Sequence, residues 1–190
     1  IFFKRILAYV IDCTILFFVM VLVNLFIPVF GDIEELNARL TTSMDNYTTG
    51  EITMDEFVEE SNDISYNLMK ATYISSIAGI VIYILYFVVF QAYNNGQTLG
   101  KKWLKLQVIK MDNSNVDINS LLRRSLFPYG ILVNFILVIL LLFTSKSVYL
   151  NINTILSNIQ TIIIFITLIM MFIKERGVHD YLANTKVIEA

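Results

Sequence analysis

The sequence predicts an all-α membrane protein of four transmembrane helices, with its N and C termini cytoplasmic and a small hairpin-like β segment and an interfacial helix between spans 2 and 3. Three observations predict it. Of 190 residues, 56% are apolar and 16% charged, so lipid rather than water is the expected solvent. The apolar residues fall in runs of roughly 20, the length that crosses a hydrocarbon core of about 30 Å at 1.5 Å per residue. The charges segregate by loop, which orients the chain. One membrane domain over residues 1–190 accounts for all of it.

The spans are expected at Ile6 to Phe30, Ala71 to Ala92, Leu126 to Phe143 and Asn153 to Ile173. The chain opens on Ile1 rather than Met and is expected to lack a few native residues. Its first run exceeds the roughly 7 to 15 apolar residues of a cleaved signal region, so it reads as a retained helix. The third run is short, and the fourth carries Asn158, Gln160 and Thr161. The two are expected to pack as an antiparallel hairpin through residues 144–152.

Lys4 and Arg5 precede the first span, and Lys101, Lys102, Lys105, Lys110, Arg123 and Arg124 lie in the 94–125 loop against Asp112 and Asp117. Lys174, Arg176 and Lys186 follow the fourth span. Basic residues near span ends stay on the cytoplasmic side, so these segments are inside. Segment 31–70 carries Asp32, Glu34, Glu35, Asp45, Glu51, Asp55, Glu56, Glu59, Glu60 and Asp63 against Arg39 and Lys70, and is outside. It reads as two short helices. Thr53 with Glu56 forms a capping box and Ile52 with Phe57 a hydrophobic staple, which start a helix near Met54.

In the cytoplasmic loop, Trp103 to Met111 alternates partly with period two, and Asp112 to Asn115 supplies a turn toward a return strand at Val116 to Ile118. Residues Asn119 to Phe127 then form an amphipathic interfacial helix that brings Arg123 and Arg124 to lipid phosphates.

Asp12 is the most informative residue. It lies two turns inside the first span, where a carboxylate costs a few kcal/mol unless partnered, neutral or hydrated. Arg5, seven residues earlier, projects from nearly the same face about 10 Å away along the axis. Asp12 reads either as a packing anchor or as a proton or cation site. Asn24 and Asn134 are secondary polar residues, read as helix-to-helix hydrogen-bonding groups. His179, the one histidine, adjoins Asp180 and reads as part of a docking turn. Cys13, the one cysteine, excludes an internal disulfide or thiolate cluster.

Two near-motifs are set aside. Gly96 to Lys102 has one residue too few between its glycines for a phosphate loop and lacks the Ser or Thr after Lys. Asp45 to Glu56 has the length of a calcium loop, but Tyr47 and Thr49 replace two ligands, leaving an acidic capped turn. No nucleophile, base and oxyanion set assembles, so an enzyme, a cofactor or a resident metal is not expected. Nothing points to nucleic acid.

Three segments in order resemble the RDD family of bacterial membrane proteins, named for one arginine and two aspartates. Lys4 to Asp12 is similar to its opening signature. Asn95 to Lys102, with Gly96, Gln97 and Gly100, followed by Leu104, Leu106 and Val108, is similar to its central motif. Arg176 to Thr185 is similar to its closing motif, with Asn184 where many relatives carry Gly. The resemblance implies a multi-pass cell-membrane protein and a functional cluster of Arg5, Asp12 and Asp180, with Arg5 meeting Asp180 at the inner surface and Asp12 deeper. It also implies possible transport, with a monovalent cation or proton as the partner. Homo-oligomerisation is expected because four helices leave little interior. The alternative is a non-transporting regulator, assembly factor or protective protein that binds a partner through its acidic outer segment.

Overall fold

The computed structural model describes residues 1–190. Eleven elements follow one another: α1 (Phe2–Asn24), α2 (Ile33–Thr49), α3 (Met54–Ala71), α4 (Tyr73–Ile84), α5 (Leu99–Trp103), β1 (Leu106–Lys110), α6 (Ile118–Ser125), α7 (Ile131–Phe143), α8 (Lys146–Lys174), α9 (Val178–Leu182) and β2 (Thr185–Glu189). A π-helical stretch, Leu85–Phe90, and a last turn, Gln91–Tyr93, extend α4. Three helices are long and apolar enough to cross a membrane: α1, the continuous run Tyr73–Tyr93, and α8.

The third apolar run is shorter than expected. Helix α7 begins at Ile131, and residues 126–130 form a turn instead of its first five residues. Pro128 has no amide proton to continue the helix, and Gly130 takes the left-handed conformation at φ 65°. Backbone groups freed by a break in the helix need other partners. Gln160 of α8 supplies one, donating to the Phe127 carbonyl. The connection to α8 is also shorter than expected, since α8 starts at Lys146.

Segment 31–70 folds as the predicted helix pair. Thr53 Oγ1 accepts from the Glu56 amide, and the Glu56 carboxylate accepts from Thr53 N at 2.8 Å. The capping box engages one carboxylate oxygen of Glu56, the residue at the twelfth position of that segment. Phe57 stacks on Tyr47, with ring centroids 5.2 Å apart. Asp63 holds the pair to α8 by accepting from Lys146 Nζ at 2.6 Å.

The hairpin expected in the 94–125 loop is corrected. Strand β1 pairs antiparallel with β2, from Leu106 opposite Glu189 to Lys110 opposite Thr185. Val116 to Ile118 supplies no return strand; Asn115 makes a single bridge to Ile109. The period-two pattern named the strand correctly, but its partner lies some eighty residues on, beyond the reach of a turn rule. The sheet closes a small core of Ala8, Val88, Leu106, Val108, Val116, Leu121 and Val187. A second core, Tyr66, Leu141 and Tyr149, sits at the opposite end.

Candidate functional site

Helix α1 brings Arg5 and Asp12 to the sheet end of the bundle, both buried. They do not pair with each other. Arg5 Nη2 donates to Asp180 Oδ2 at 2.6 Å, and its Nη1 donates to the Glu175 carbonyl at 2.7 Å. Arg124 donates to Asp180 Oδ1 from the other side and to Thr185 Oγ1 at 2.8 Å. The Asp180 carboxylate also accepts from the Gly177 amide at 2.9 Å. Asp180 therefore clamps α1, α6 and α9. Burial alone would raise its pKa, but Arg124 and Arg5 outweigh burial and hold it well below the usual carboxylate range.

The expected contact of Arg124 with lipid phosphate is thus overturned. Arg124 is buried on the clamp, while its neighbour Arg123 stays exposed. The helix expected there runs over Ile118–Ser125, capped by Asp117, whose carboxylate accepts from the Ser120 amide at 2.7 Å.

Asp12 is held by a different set of groups. Its Oδ1 accepts from the Tyr86 hydroxyl at 2.6 Å and the Gly100 amide at 2.8 Å, and its Oδ2 accepts from Thr98 Oγ1 at 2.6 Å. Tyr86 sits in the π-helical stretch, a deformation common at functional positions. Gly100 is required by close approach, since a Cβ there would lie 2.3 Å from the Ala8 carbonyl and 2.9 Å from Asp12 Oδ1. Gly96, at φ +75°, is required because its Cβ would lie 2.2 Å from the Val108 carbonyl. Gln97 donates to the Leu106 carbonyl at 2.8 Å, fixing the loop to β1. The central motif is a frame that presents Thr98 and Gly100 to Asp12. Asn184 stands at φ 53°, a left-handed conformation that Asn adopts more readily than most other residues with a side chain.

His179 joins the clamp. Its Nε2 lies 3.2 Å from Arg5 Nη2. A guanidinium has only donors, so Nε2 accepts and the proton sits on Nδ1, which is buried without a partner. Burial, with the Arg124 charge next, lowers the imidazole pKa to about 3, so the ring is neutral at physiological pH.

Sequence reasoning missed Lys101, Tyr86, Thr98 and Tyr129. Lys101 is buried, its Nζ 3.5 Å from Gln91 Oε1 and 3.4 Å from Thr98 Oγ1, with no carboxylate bonded to it. Burial, aided by the Arg124 and Arg5 charges, lowers its pKa to about 7. Lys101 stood among the loop cations that orient the chain, and nothing in the sequence separated it from exposed Lys102.

Arg5, Asp12, Lys101, Arg124 and His179 line one cavity of about 360 Å³, walled on the α8 side by Ile163, Ile164, Thr167 and Leu168. With Asp180 counted, three cationic groups face two carboxylates. Asn134 lies elsewhere, in a groove of about 350 Å³ with Thr72, Ser75, Ser76 and Tyr83. Asn24 is exposed at the end of α1.

A family model described as RDD family matches residues 2–184. No curated protein matches the chain. No solved structure matches it either. The family match spans nearly the whole sequence, including all three residues of the Arg5, Asp12 and Asp180 set, and the chain belongs to the RDD family.

Proposed function

We propose that the chain is a four-span protein of the bacterial cell membrane, with both termini cytoplasmic, that exchanges protons for a monovalent cation at the cavity beside Asp12. The observation that carries this reading is a buried carboxylate and a buried lysine without a carboxylate partner, joined through one hydroxyl, Thr98 Oγ1. Helix α7 is the fourth span in this reading, lengthened to membrane thickness by the turn at 126–130. Tyr93 and Trp103, 81% and 69% exposed at the sheet end, suit an interfacial aromatic belt.

The exchange keeps the charge of the cluster constant. With Lys101 protonated, three cations face two carboxylates and the cavity repels a further cation. Loss of the Lys101 proton removes that excess charge. The Tyr86 and Thr98 hydroxyls then rotate their protons away from Asp12 and offer oxygen lone pairs beside the carboxylate, a hard-oxygen set suited to sodium or lithium. Cation release restores the first state. Arg5, Arg124 and Asp180 act as a fixed clamp, and His179 stays neutral.

The test is the pH profile of exchange in proteoliposomes. The groups facing Lys101 are Arg5 and Asp12 from α1, Arg124 from α6, Asp180 from α9, and Gln91 and Thr98. Lys101, with its pKa lowered to about 7 by burial, changes charge near neutrality. Exchange rises with pH around 7 in the wild type and loses that dependence in Lys101→Gln. An unchanged profile in the variant counts against the mechanism.

A second reading, a partner-binding protein, draws support from the acidic α2–α3 pair, joined to α8 through the Asp63–Lys146 pair. Deleting Asp32 to Asp63 separates the two readings. Exchange is retained if the cavity is the working site, whereas a surface-acting partner loses its binding.

A further inference from the structure

The groove that holds Asn134 is formed by α1, α4 and α7, together with Thr72 at the C-terminal end of α3 and Tyr129 of the 126–130 turn. It is lined by Met20, Thr72, Ser75, Ser76, Gly79, Ile80, Tyr83, Tyr129, Ile131 and Asn134. Six of these carry hydroxyl or carboxamide groups and none carries a charge. Thr72 and Ser76 donate their hydroxyl protons to the Leu68 and Thr72 carbonyls, which leaves oxygen lone pairs to serve as acceptors in the groove.

Tyr129 lines both this groove and the charged cavity. Its ring is stacked on Phe87 with centroids 3.6 Å apart and planes 11° from parallel. Tyr9 stacks against it at 5.7 Å, and Tyr83 meets it edge-on at 6.5 Å. Four aromatic rings from α1, α4 with its π-helical stretch, and the 126–130 turn therefore fill the space between the two openings. The turn that breaks the third span is what carries Tyr129 inward, because a helix through residues 126–130 would not leave Gly130 at φ 65°. Phe87 follows Tyr86, the Asp12 partner, so the π-helical stretch serves both the cavity and the plug.

We propose that the Thr72–Ser75–Ser76–Asn134 groove is an uncharged oxygen site for a monovalent cation, forming the outer half of the path to Asp12, and that Tyr129 is the barrier between the halves. This assignment rests on the exchange reading above. The ion passes from water to neutral oxygens and then to the Asp12 carboxylate, so it is never left without ligands.

The experiment measures access and flux separately. Cys13 is replaced by Ser, and single cysteines are placed at Ser76 in the groove and at Thr167 in the charged cavity. A membrane-impermeant thiol reagent is added to sealed vesicles of either orientation. Ser76→Cys is expected to react from the α2–α3 side, and Thr167→Cys only from the opposite side. Adding Tyr129→Ala is expected to expose Thr167→Cys to the α2–α3 side and to raise uncoupled sodium leak at least ten-fold, while Tyr129→Phe keeps the barrier. Asn134→Leu, which leaves the plug intact, is expected to lower sodium exchange at least ten-fold. Melting of the purified variants confirms that they fold. Thr167→Cys that stays unreactive from that side in a folded Tyr129→Ala protein overturns the barrier. Full exchange in Asn134→Leu overturns the oxygen site. The predicted labelling without any wild-type flux refutes exchange while leaving the barrier standing.

Discussion

Asp180 and Lys101 give opposite pH signatures. Asp180 has a depressed folded pKa, so its stabilising contribution is present above the unfolded carboxylate value and is lost as pH falls through the folded one. Asp180→Asn leaves Arg5 and Arg124 buried against a neutral group and is expected to cost on the order of 3 to 5 kcal/mol, seen as a large fall in melting temperature in detergent. Lys101 has its folded pKa lowered to about 7 from the usual 10.5. Between those values the unfolded chain binds a proton that the folded protein does not, so Lys101 makes stability rise with pH over that window. Lys101→Met is expected to raise the melting temperature at pH 7 and to flatten its rise toward pH 10. A variant less stable than wild type at pH 7 would show that the ammonium is well compensated. Asp12 was legible in the sequence because a carboxylate inside an apolar run needs a reason. Arg124 was not, because adjacent arginines on an eight-residue amphipathic helix give no sign of which one turns inward.

Local rules worked where the cause is local. The capping box at Thr53 stands where the Thr-x-x-Glu spacing puts it, and Thr53→Ala is expected to cost about 1 kcal/mol. Amide exchange at residues 54–57 should quicken, with α2 unaffected; uniform quickening of both helices would mean that the cap holds the whole outer pair. Strand β1 was also legible, but its partner β2 was not, because pairing across the length of the chain is set by Asp180 and Thr185 docking on Arg124. Hydropathy merged the 126–130 turn into the third span, since Leu126 and Phe127 are as apolar as the helix that follows. Pro128 and Gly130 were the available signals of the break.

Across the whole molecule, the segregation of charge and the two small cores describe one arrangement. The basic end carries the sheet, the clamp and the cavity, and the acidic end carries α2 and α3. The resemblance implied that Arg5 meets Asp180, and the two are joined by a hydrogen bond of 2.6 Å, while Asp12 is held apart from them by Tyr86, Thr98 and Gly100. It gave no hint that Asp12 would have three donors already in place. The most direct test of the central claim is proton movement in proteoliposomes loaded with a pH-sensitive dye, on addition of sodium, potassium or lithium, comparing wild type with Asp12→Asn. The carboxamide keeps an acceptor for the Gly100 amide, so the variant is expected to fold and insert. Exchange in the wild type that falls at least ten-fold in Asp12→Asn is the predicted result, and equal exchange in both would reduce Asp12 to a packing anchor.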